Sequence, residues 1–371
     1  MALLRLDITD FRNLGSASIY PMAEGFNFFH GRNGSGKTSL LEAIYYLGRG
    51  RSFRSALVNH VISQGAEKFS IFAEIQAENQ QTVPVGVLRE RDGGTRIRIS
   101  GHDSASSAAL LELTPCLLIN SGCFNLLDAG PHFRRKYLDW GAFYLNQDFL
   151  PAWKLYERVL RQRNAALRER KSRKEVAVWS AELVKSATVL DALRREGIAQ
   201  LLPFLQTVLS SLIELPALKL VYYPGWDEAL TYEEAMNRSN DKDIVAGYTQ
   251  MGPHRADFRM TIDRVPVKDI LSRGQQKLFI CAMIIAQGAM LQECVNRRPV
   301  YLIDDLPSEL DIHSRSYLMA LLARQKAQVF VTAVEREALV GVCQAQMKMF
   351  HVKHGCVKEE NPGVLAVAGT P

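Results

Sequence analysis

A glycine-rich segment of eight residues, Gly31–Thr38, constrains the fold of this chain more than any other feature. It reads Gly-Arg-Asn-Gly-Ser-Gly-Lys-Thr and fits the pattern G-x-x-x-x-G-K-[ST]. The apolar run Gly25–His30 before it is typical of a strand, and Ser39–Leu47 after it is typical of a helix. A strand, a tight glycine turn and a helix in this order predict an α/β fold.

The residue types in this segment suit the binding of phosphate groups. Glycines let backbone N–H groups turn inward and approach a phosphate closely. Lys37 supplies a positive charge for the β- and γ-phosphates of a nucleotide, and the Thr38 hydroxyl is a ligand for Mg²⁺. A chance match is the alternative, but the flanking strand and helix are the context that the motif needs. We therefore interpret as nucleotide-binding the residues Gly31, Arg32, Asn33, Gly34, Ser35, Gly36, Lys37, Thr38 and Ser39.

A second strand ends in two adjacent acids. Val300–Ile303 is an apolar run, and Asp304 and Asp305 follow it directly. On their own, two acids at a strand end could be a simple cap. Together with the phosphate-binding segment, they predict that Asp304 helps to hold Mg²⁺ and that Asp305 acts as the general base that polarises water. Lys37 and Asp305 are thus the candidate catalytic residues.

The residue pattern divides the chain into three parts. Residues 1–124 have short apolar runs with period-two alternation, which predict an antiparallel meander over Phe69–Ile75, Thr82–Leu88 and Thr95–Ile99. Residues 125–240 are helical, basic and rich in leucine, and residues 241–371 return to alternating strands and helices. We expect an α/β head made from both ends of the chain, with a helical lobe inserted between them.

Composition narrows the class of protein. The net charge of +6 and the pI of about 8.9 suit an anionic partner without demanding one. The six cysteines form no C-x-x-C pair, which favours free thiols in a reducing compartment. The longest apolar run, Leu278–Leu291, is interrupted by Gln287 and Gly288 and is typical of a buried helix. We expect a cytoplasmic protein that does not bind a membrane.

Two further motifs stand on either side of the double acid. Leu271–Lys277 reads Leu-Ser-Arg-Gly-Gln-Gln-Lys and resembles the signature motif of ABC-type ATPases. Its candidate residues are Ser272, Arg273, Gly274 and Gln275. After the acids, Ser308-Glu309-Leu310-Asp311 looks like the D-loop of the same class, with Ser308, Glu309 and Asp311 as candidates. Phosphate loop, signature, acidic strand and D-loop occur in the order found in ABC-type ATPases.

The chain resembles the RecF family of bacterial DNA replication and repair ATPases, which are related to SMC heads. The resemblance runs nearly end to end. Its motifs include Asp10–Asn13, Leu41–Tyr45, Arg51–Arg54, Arg134–Gly141, Arg161–Leu167 and Gly252–Asp257, besides the segments above. It implies an ABC-type ATPase head, with a mixed sheet and an antiparallel subdomain, and a short inserted helical lobe.

The resemblance also implies how such a protein works. ATP and Mg²⁺ would drive the formation of a homodimer in which Ser272 and Gly274 of one subunit meet the γ-phosphate held by Lys37 of the other. Arg12 and Asn13 would lie beside the nucleotide of their own subunit. The DNA partner would be double-stranded, gapped or at a single/double-strand junction, bound without sequence preference. Slow hydrolysis would end the complex, and RecR and RecO would cooperate in loading RecA.

Three positions depart from the ABC pattern. Arg273 replaces a signature glycine, Asp305 replaces a glutamate, and Thr332 stands where a histidine usually follows the strand. Proteins that resemble this chain share these departures. The shorter Asp305 carboxylate predicts slow hydrolysis, suited to a timer rather than a motor. The segment around Asn120 is only a candidate for the Gln-loop.

Several alternatives stay open at this stage. The basic stretch Arg158–Lys174 and the cluster Arg134–Lys136 could contact DNA or could be ordinary charged faces. His254 and Arg255 could be structural or could contact the nucleotide. The chain could also be a scaffold in which ATP gates partner binding and hydrolysis is incidental. An ATPase of a nuclease or toxin system is a further rival, although such proteins usually carry an acidic nuclease domain.

Overall fold

The computed structural model describes residues 1–104, 106–213, 215, 218–340 and 346–360. Its strands are β1 Ala2–Phe11, β2 Leu14–Ile19, β3 Gly25–His30, β4 Lys68–Gln76, β5 Thr82–Glu90, β6 Thr95–Ile99, β7 His102–Ser104, β8 Cys116–Ile119, β9 Leu218–Tyr223, β10 Asp257–Ile262, β11 Val265–Pro266, β12 Val300–Ile303, β13 Gln328–Ala333, β14 Met347–Lys353 and β15 Cys356–Glu360. The α-helices are α1 Lys37–Arg49, α2 Ala108–Leu113, α3 Asn125–Asp128, α4 Pro131–Leu145, α5 Phe149–Arg168, α6 Arg173–Leu212, α7 Tyr232–Ala246, α8 Val267–Ile270, α9 Arg273–Val295, α10 Leu306–Glu309, α11 Ile312–Arg324 and α12 Glu337–Val340.

The chain forms two compact units. The first combines residues 1–123 with the chain from 296 onwards, and the second comprises residues 124–295. The expected architecture, an α/β part built from both chain ends and a largely helical middle, is confirmed. The second unit continues beyond residue 240, the predicted end of the helical lobe. It includes residues 241–295, which were predicted to belong to the C-terminal part of the head. The division into functional domains stays a prediction.

A parallel sheet organises the first unit. Its strand order is β15-β14-β3-β13-β12-β8, and all pairs are parallel except that of β14 with β15. Every residue of β12 and β13 is buried, which explains their largely apolar sequences. Because parallel strands end at the same edge of a sheet, the residues that follow β3 and β12 meet there, with β13 between them.

An antiparallel sheet completes the first unit. Its order is β2-β1-β4-β5-β6-β7, so the predicted meander of β4, β5 and β6 is confirmed. Strand β4 buries alternate residues, as expected for a sheet with one covered face. Helix α1 contributes Leu40, Leu41 and Ile44 to a core that contains residues of both sheets. This core fixes the start of α1, and hence the glycine-rich segment, relative to both sheets.

The second unit is built around long helices. Helix α6 has 40 residues and begins with a capping box between Ser172 and Glu175. Pro203 lies inside this helix. Leu201, Leu205 and Val208, spaced by four and three residues, are buried on one side of it. One part of the middle segment is not helical: β9 pairs with β10, which in turn pairs with β11. Strand β9 was not predicted, although the alternation in its sequence, Leu-Lys-Leu-Val-Tyr-Tyr, is typical of a strand.

Helix α9 contains the longest apolar run. Among the described residues it is the one helix long and apolar enough to cross a membrane by length and composition, and 67% of its most apolar window is buried within the protein. Tyr137 of α4 donates a hydrogen bond to the carbonyl of Met283, and Gln287 donates one to the carbonyl of Tyr137. The prediction of a buried helix is confirmed.

A buried arginine ties three helices of the second unit together. The Arg163 side chain of α5 is fully buried and forms an ion pair of 2.8 Å with Asp243 of α7, which is also fully buried. Arg163 also donates hydrogen bonds to Thr249 and to Ser180 of α6. Each partner oxygen replaces water that burial removes, so the guanidinium is tolerated in the core.

Removing this arginine should destabilise the second unit strongly. We expect Arg163→Ala to lower the free energy of unfolding by about 3–5 kcal/mol, because it leaves the Asp243 carboxylate buried without its cation. The matched control is Arg161→Ala on the exposed face of the same helix, with an expected change within about 0.5 kcal/mol. Urea unfolding of the full chain, followed by circular dichroism, measures both. Equal losses in the two variants would contradict this role for Arg163.

Candidate nucleotide-binding site

The glycine-rich segment forms a loop between β3 and α1 that depends on two of its glycines. Gly31 and Gly36 have φ angles of 149° and 118°, which side chains rarely adopt. A Cβ atom at Gly31 would lie 2.2 Å from the carbonyl oxygen of Val352, and one at Gly36 would lie 2.8 Å from Leu14. Neither position accepts a larger residue without displacing the loop.

Neighbouring elements hold the loop from outside. The Asn13 side chain donates a hydrogen bond of 2.8 Å to the carbonyl of Gly34 and accepts one from the Ser39 hydroxyl. The turn between β14 and β15 contributes the N–H of Gly355, which donates to the carbonyl of Ser35 at 2.9 Å. The loop is therefore set in shape before any ligand arrives. Asn13, which was predicted to lie beside the nucleotide, makes these hydrogen bonds with the loop itself.

The Lys37 ammonium is buried against its own loop. It donates hydrogen bonds to the carbonyls of Gly31 at 2.6 Å and Arg32 at 3.1 Å. Burial lowers the pKa of Lys37, and the nearby charges of Asp305 and Asp304 partly offset that effect. An anionic ligand near the ammonium would add a further stabilising charge.

A chain of hydrogen bonds joins the loop to the acidic strand end. The Thr38 hydroxyl donates to the Asp304 carboxylate at 3.0 Å, and the Thr332 hydroxyl donates to the same oxygen at 2.8 Å. Thr332 also accepts the N–H of Asp305 at 2.8 Å. Because β13 lies between β3 and β12, its fully buried Thr332 is placed to reach both acids. Asp305 adopts a left-handed backbone with φ 55° at the start of α10, a strained conformation that these contacts support.

The other wall of the site is anchored by a buried carboxylate. Glu42 of α1 is fully buried and accepts hydrogen bonds from Arg12 at 3.0 and 2.6 Å. Ser52 also donates to it, and Arg54 lies 3.5 Å away. Arg12 further donates to the carbonyl of His60. Predicted residue Arg12 thus orders residues 52–60 beside the loop.

These elements enclose a cleft of about 500 Å³ in the first unit. It is lined by Arg12, Asn13, Asn33, Gly34, Gly36, Lys37, Thr38, Ser39, Arg54, His60, Ile62, Gln64, Asp304, Asp305, Thr332 and Val334. Gly31, Arg32 and Ser35 belong to the loop but do not line the cleft. Five further lining residues were not predicted as site residues: Arg54, His60, Ile62, Gln64 and Val334. Arg54 belongs to the motif Arg51–Arg54, whereas no motif marks the other four, which tertiary folding brings to the cleft.

The signature residues belong to the second unit. Ser272 caps α9: its hydroxyl accepts the N–H of Gln275, and the Gln275 side chain accepts the N–H of Ser272. Ser272, Arg273, Gly274 and Gln275 are all exposed, and Arg273 forms an ion pair with Asp128. The segment is a rigid helix start that is open to an incoming partner. Its proposed role in a second subunit stays a prediction.

The D-loop candidates have local contacts. Ser308 donates to the carbonyl of Asp305, which couples the segment to the double acid. Asp311 caps α11 by accepting the N–H and hydroxyl of Ser314, and the side-chain hydrogen bond from Ser314 is the main cause that lowers the pKa of Asp311. The side chain of Glu309 lies outside the described residues. Asn120 follows β8 at the same sheet edge but does not line the cleft.

Two groups left open by the sequence have structural partners. Arg134 pairs with both carboxylate oxygens of Asp257, and Arg135 donates to the carbonyl of Ala256. His254 lies between Tyr156 and the carbonyl of Thr249, and burial lowers the pKa of His254 to about 4. These side chains stabilise the second unit internally.

The hydroxyl of Thr332 should hold the Asp305 backbone in place. Thr332→Val keeps the shape of the side chain but removes the acceptor of the Asp305 N–H. The expected loss of about 1.4 kcal/mol, within the range of one hydrogen bond, corresponds to about tenfold faster local amide exchange. Hydrogen–deuterium exchange of peptides covering residues 303–310 measures it, and Thr332→Ser, which keeps the hydroxyl, is the control. Unchanged exchange in the valine variant would contradict this contact.

Comparison with known proteins gives the family. Residues 2–358 match the family model described as RecF/RecN/SMC N terminal domain. The DNA replication and repair protein RecF of Aliivibrio salmonicida (strain LFI1238) is 39% identical over 97% of this chain and 100% of its own length. The protein of the same description from Shewanella woodyi is 40% identical over 96% of this chain and 98% of its own length.

Solved structures have the same fold. The recombination mediator protein RecF with ATPrS, described in the RecFOR pathway, matches with a TM-score of 0.86 at 23% identity, covering 97% of this chain and 98% of that one. An SMC head bound to the C-terminal winged-helix domain of ScpA matches with a TM-score of 0.59 at 14% identity over 97% of both chains. The chain therefore belongs to the RecF/RecN/SMC family and, within it, to the RecF family of DNA replication and repair proteins.

Proposed function

We propose that the chain is an ATP-dependent, DNA-binding ATPase that binds MgATP in the cleft of the first unit. The observation that carries this proposal is the hydrogen-bonded chain Thr38–Asp304–Thr332 beside a buried lysine. It joins a phosphate-binding loop to two acids at one sheet edge, an arrangement suited to a nucleotide with its metal ion. A relative solved with bound ATP has the same fold and supports the choice of nucleotide.

The donor atoms fit Mg²⁺. A threonine hydroxyl and a carboxylate lie 3.0 Å apart at Thr38 and Asp304, and oxygen donors of this kind are the ligands Mg²⁺ takes, usually with phosphates and water. When bound, Mg²⁺ would neutralise charge on the β- and γ-phosphates. The loop N–H groups and Lys37 would orient the phosphates, and Thr332 would keep Asp304 and Asp305 in register.

Asp305 is the proposed general base. It lines the cleft, is exposed there, and has its backbone fixed by Thr332. Its carboxylate would accept a proton from the water that attacks the γ-phosphate. Because aspartate reaches less far than the glutamate usual in ABC-type ATPases, the hydrolysis would be slow. Slow hydrolysis suits a timer for the lifetime of a complex.

We also propose that ATP drives the formation of a homodimer. The signature residues are exposed at the start of a 23-residue helix, where the helix dipole favours negative charge. The Ser272 oxygen accepts the N–H of Gln275, and within the part of the chain that the structure describes its O–H donates no hydrogen bond. A γ-phosphate held by a second subunit would meet this donor. Ser308, Glu309 and Asp311 would contribute the D-loop of the same interface.

The process, DNA replication and repair, comes from the family. The DNA structure that is bound and the partner proteins are part of our proposal. The dimer would bind double-stranded DNA near a gap or a single/double-strand junction without sequence preference. RecR and RecO would cooperate with it in loading RecA in the cytoplasm. Among the described residues, no disulfide joins the cysteines at positions 116, 123, 281, 294 and 356. Hydrolysis would release the complex.

Removing the proposed base should separate binding from turnover. Asp305→Asn should slow ATP hydrolysis by about 10²-fold or more, since that is the usual contribution of a general base, while ATP affinity changes little. Lys37→Met should lose ATP affinity as well. Phosphate release and equilibrium titration measure the two effects, and Asp103→Asn on an exposed strand is the control. Unchanged hydrolysis in Asp305→Asn would contradict its role.

Dimer formation should require ATP and the signature serine. Light scattering of the full chain should show a doubled mass with MgATP but not with ADP or without nucleotide. Ser272→Asp keeps an N-cap oxygen but places a negative charge against the γ-phosphate, and should remain monomeric. Ser211→Arg, an exposed change on α6, is the control. A mass that ATP leaves unchanged, while ATP still binds, would favour a scaffold that nucleotide gates without dimerisation.

A further inference from the structure

A row of positive charges lies along one face of α5. Lys154, Arg158, Arg161 and Arg168 follow one another at intervals of four, three and seven residues, which place them on one side of a helix. All four are exposed. We call these four residues the cationic stripe. From the helical rise, the stripe is about 21 Å long.

The cations of the stripe outnumber the acids beside them, since Glu157 is the acid of α5 that flanks it. Within the described part of the chain, none of its four side chains forms an ion pair. Neighbouring cations do have partners: Lys171 pairs with Glu169, and Arg173 pairs with Asp241 of α7. Glu169 and Asp241 are thus paired outside the stripe, and beside Glu157 the four cations keep an excess of positive charge. Arg170 and Lys174, both exposed, extend it past the end of α5.

The rest of α5 makes the stripe rigid and restricts what it can bind. Tyr156, Val159 and Leu160 are buried in the core of the second unit, and Arg163 is held by Asp243. A helix that lies on a membrane needs its apolar face for lipid, whereas the apolar face of α5 is already covered. The exposed chemistry is that of a straight row of ammonium and guanidinium groups, which suits a regularly charged polyanion.

We propose that the cationic stripe binds the sugar–phosphate backbone of duplex DNA, an assignment that rests on the proposed DNA-binding function and places the contact on α5. Duplex DNA carries one charge per about 1.7 Å of its axis, so the length of the stripe faces about a dozen phosphates. Guanidinium groups bind phosphate oxygens in pairs, which favours the three arginines. Contacts of this kind position DNA and carry no sequence information.

The test compares two charge-matched triple variants of the full chain. The stripe variant carries Lys154→Gln, Arg158→Gln and Arg161→Gln. The control variant carries Lys185→Gln, Lys219→Gln and Arg259→Gln, which are exposed cations on α6, β9 and β10 of the same unit. Glutamine has nearly the helix propensity of lysine and arginine, so α5 should stay folded. Circular dichroism and thermal unfolding check this for both variants.

Binding is measured with MgATP and two fluorescent duplexes of unrelated sequence, over a series of salt concentrations. The stripe variant should bind both duplexes about tenfold or more weakly, and the slope of log affinity against log salt should fall by about 0.9 for each lost contact. The control variant should keep the wild-type affinity and slope. Equal binding by the two variants would overturn only the assignment of the DNA contact to the cationic stripe. A wild-type protein that bound neither duplex would overturn the proposed DNA-binding function itself.

Discussion

The site depends on one buried hydroxyl. Thr332 of β13 donates to Asp304 and accepts the N–H of Asp305, while Thr38 at the start of α1 donates to the same Asp304 oxygen. Three parallel strands in the order β3-β13-β12 are needed to bring these groups together, because each supplies one part from its carboxyl end. The order of the sheet is therefore the physical condition for the cleft, and the buried apolar strands that hold that order support the site from below.

The order of the strands in the sheet also explains how residues far apart in the sequence come to lie in one site. The glycine-rich loop and the double acid are separated by the whole second unit, which leaves the first unit after Cys123 and returns at Asn296. A compact insertion of this kind adds surfaces without changing the sheet. Here the added surfaces are the exposed signature at the start of α9 and the cationic stripe on α5. The proposed homodimer and the proposed DNA contact would use these two surfaces.

Local patterns in the sequence predicted much of this structure. Apolar runs and period-two alternation predicted three of the strands correctly: Gly25–His30, Thr95–Ile99 and Val300–Ile303. The glycine pattern of residues 31–38 predicted the tight loop before α1. What sequence could not predict depends on contacts between distant segments. No pattern around Glu42 predicts that its carboxylate is buried and accepts hydrogen bonds from Arg12 and Arg54. No motif predicts that His60 or Gln64 lines the cleft. Strand β9 was missed because its short alternation lies within a long helical stretch.

Calorimetric titration of the full chain with ATP, ADP and AMP, each with Mg²⁺, is the direct test of whether this cleft binds the phosphate groups of a nucleotide. The loop and Lys37 are placed for the β- and γ-phosphates, so affinity should come from the phosphate tail rather than from the nucleoside. We expect measurable binding of ATP and ADP and at least about 100-fold weaker binding of AMP, which corresponds to about 2.8 kcal/mol. Equal affinity for ATP and AMP would contradict the assignment of this cleft as a phosphate-binding site.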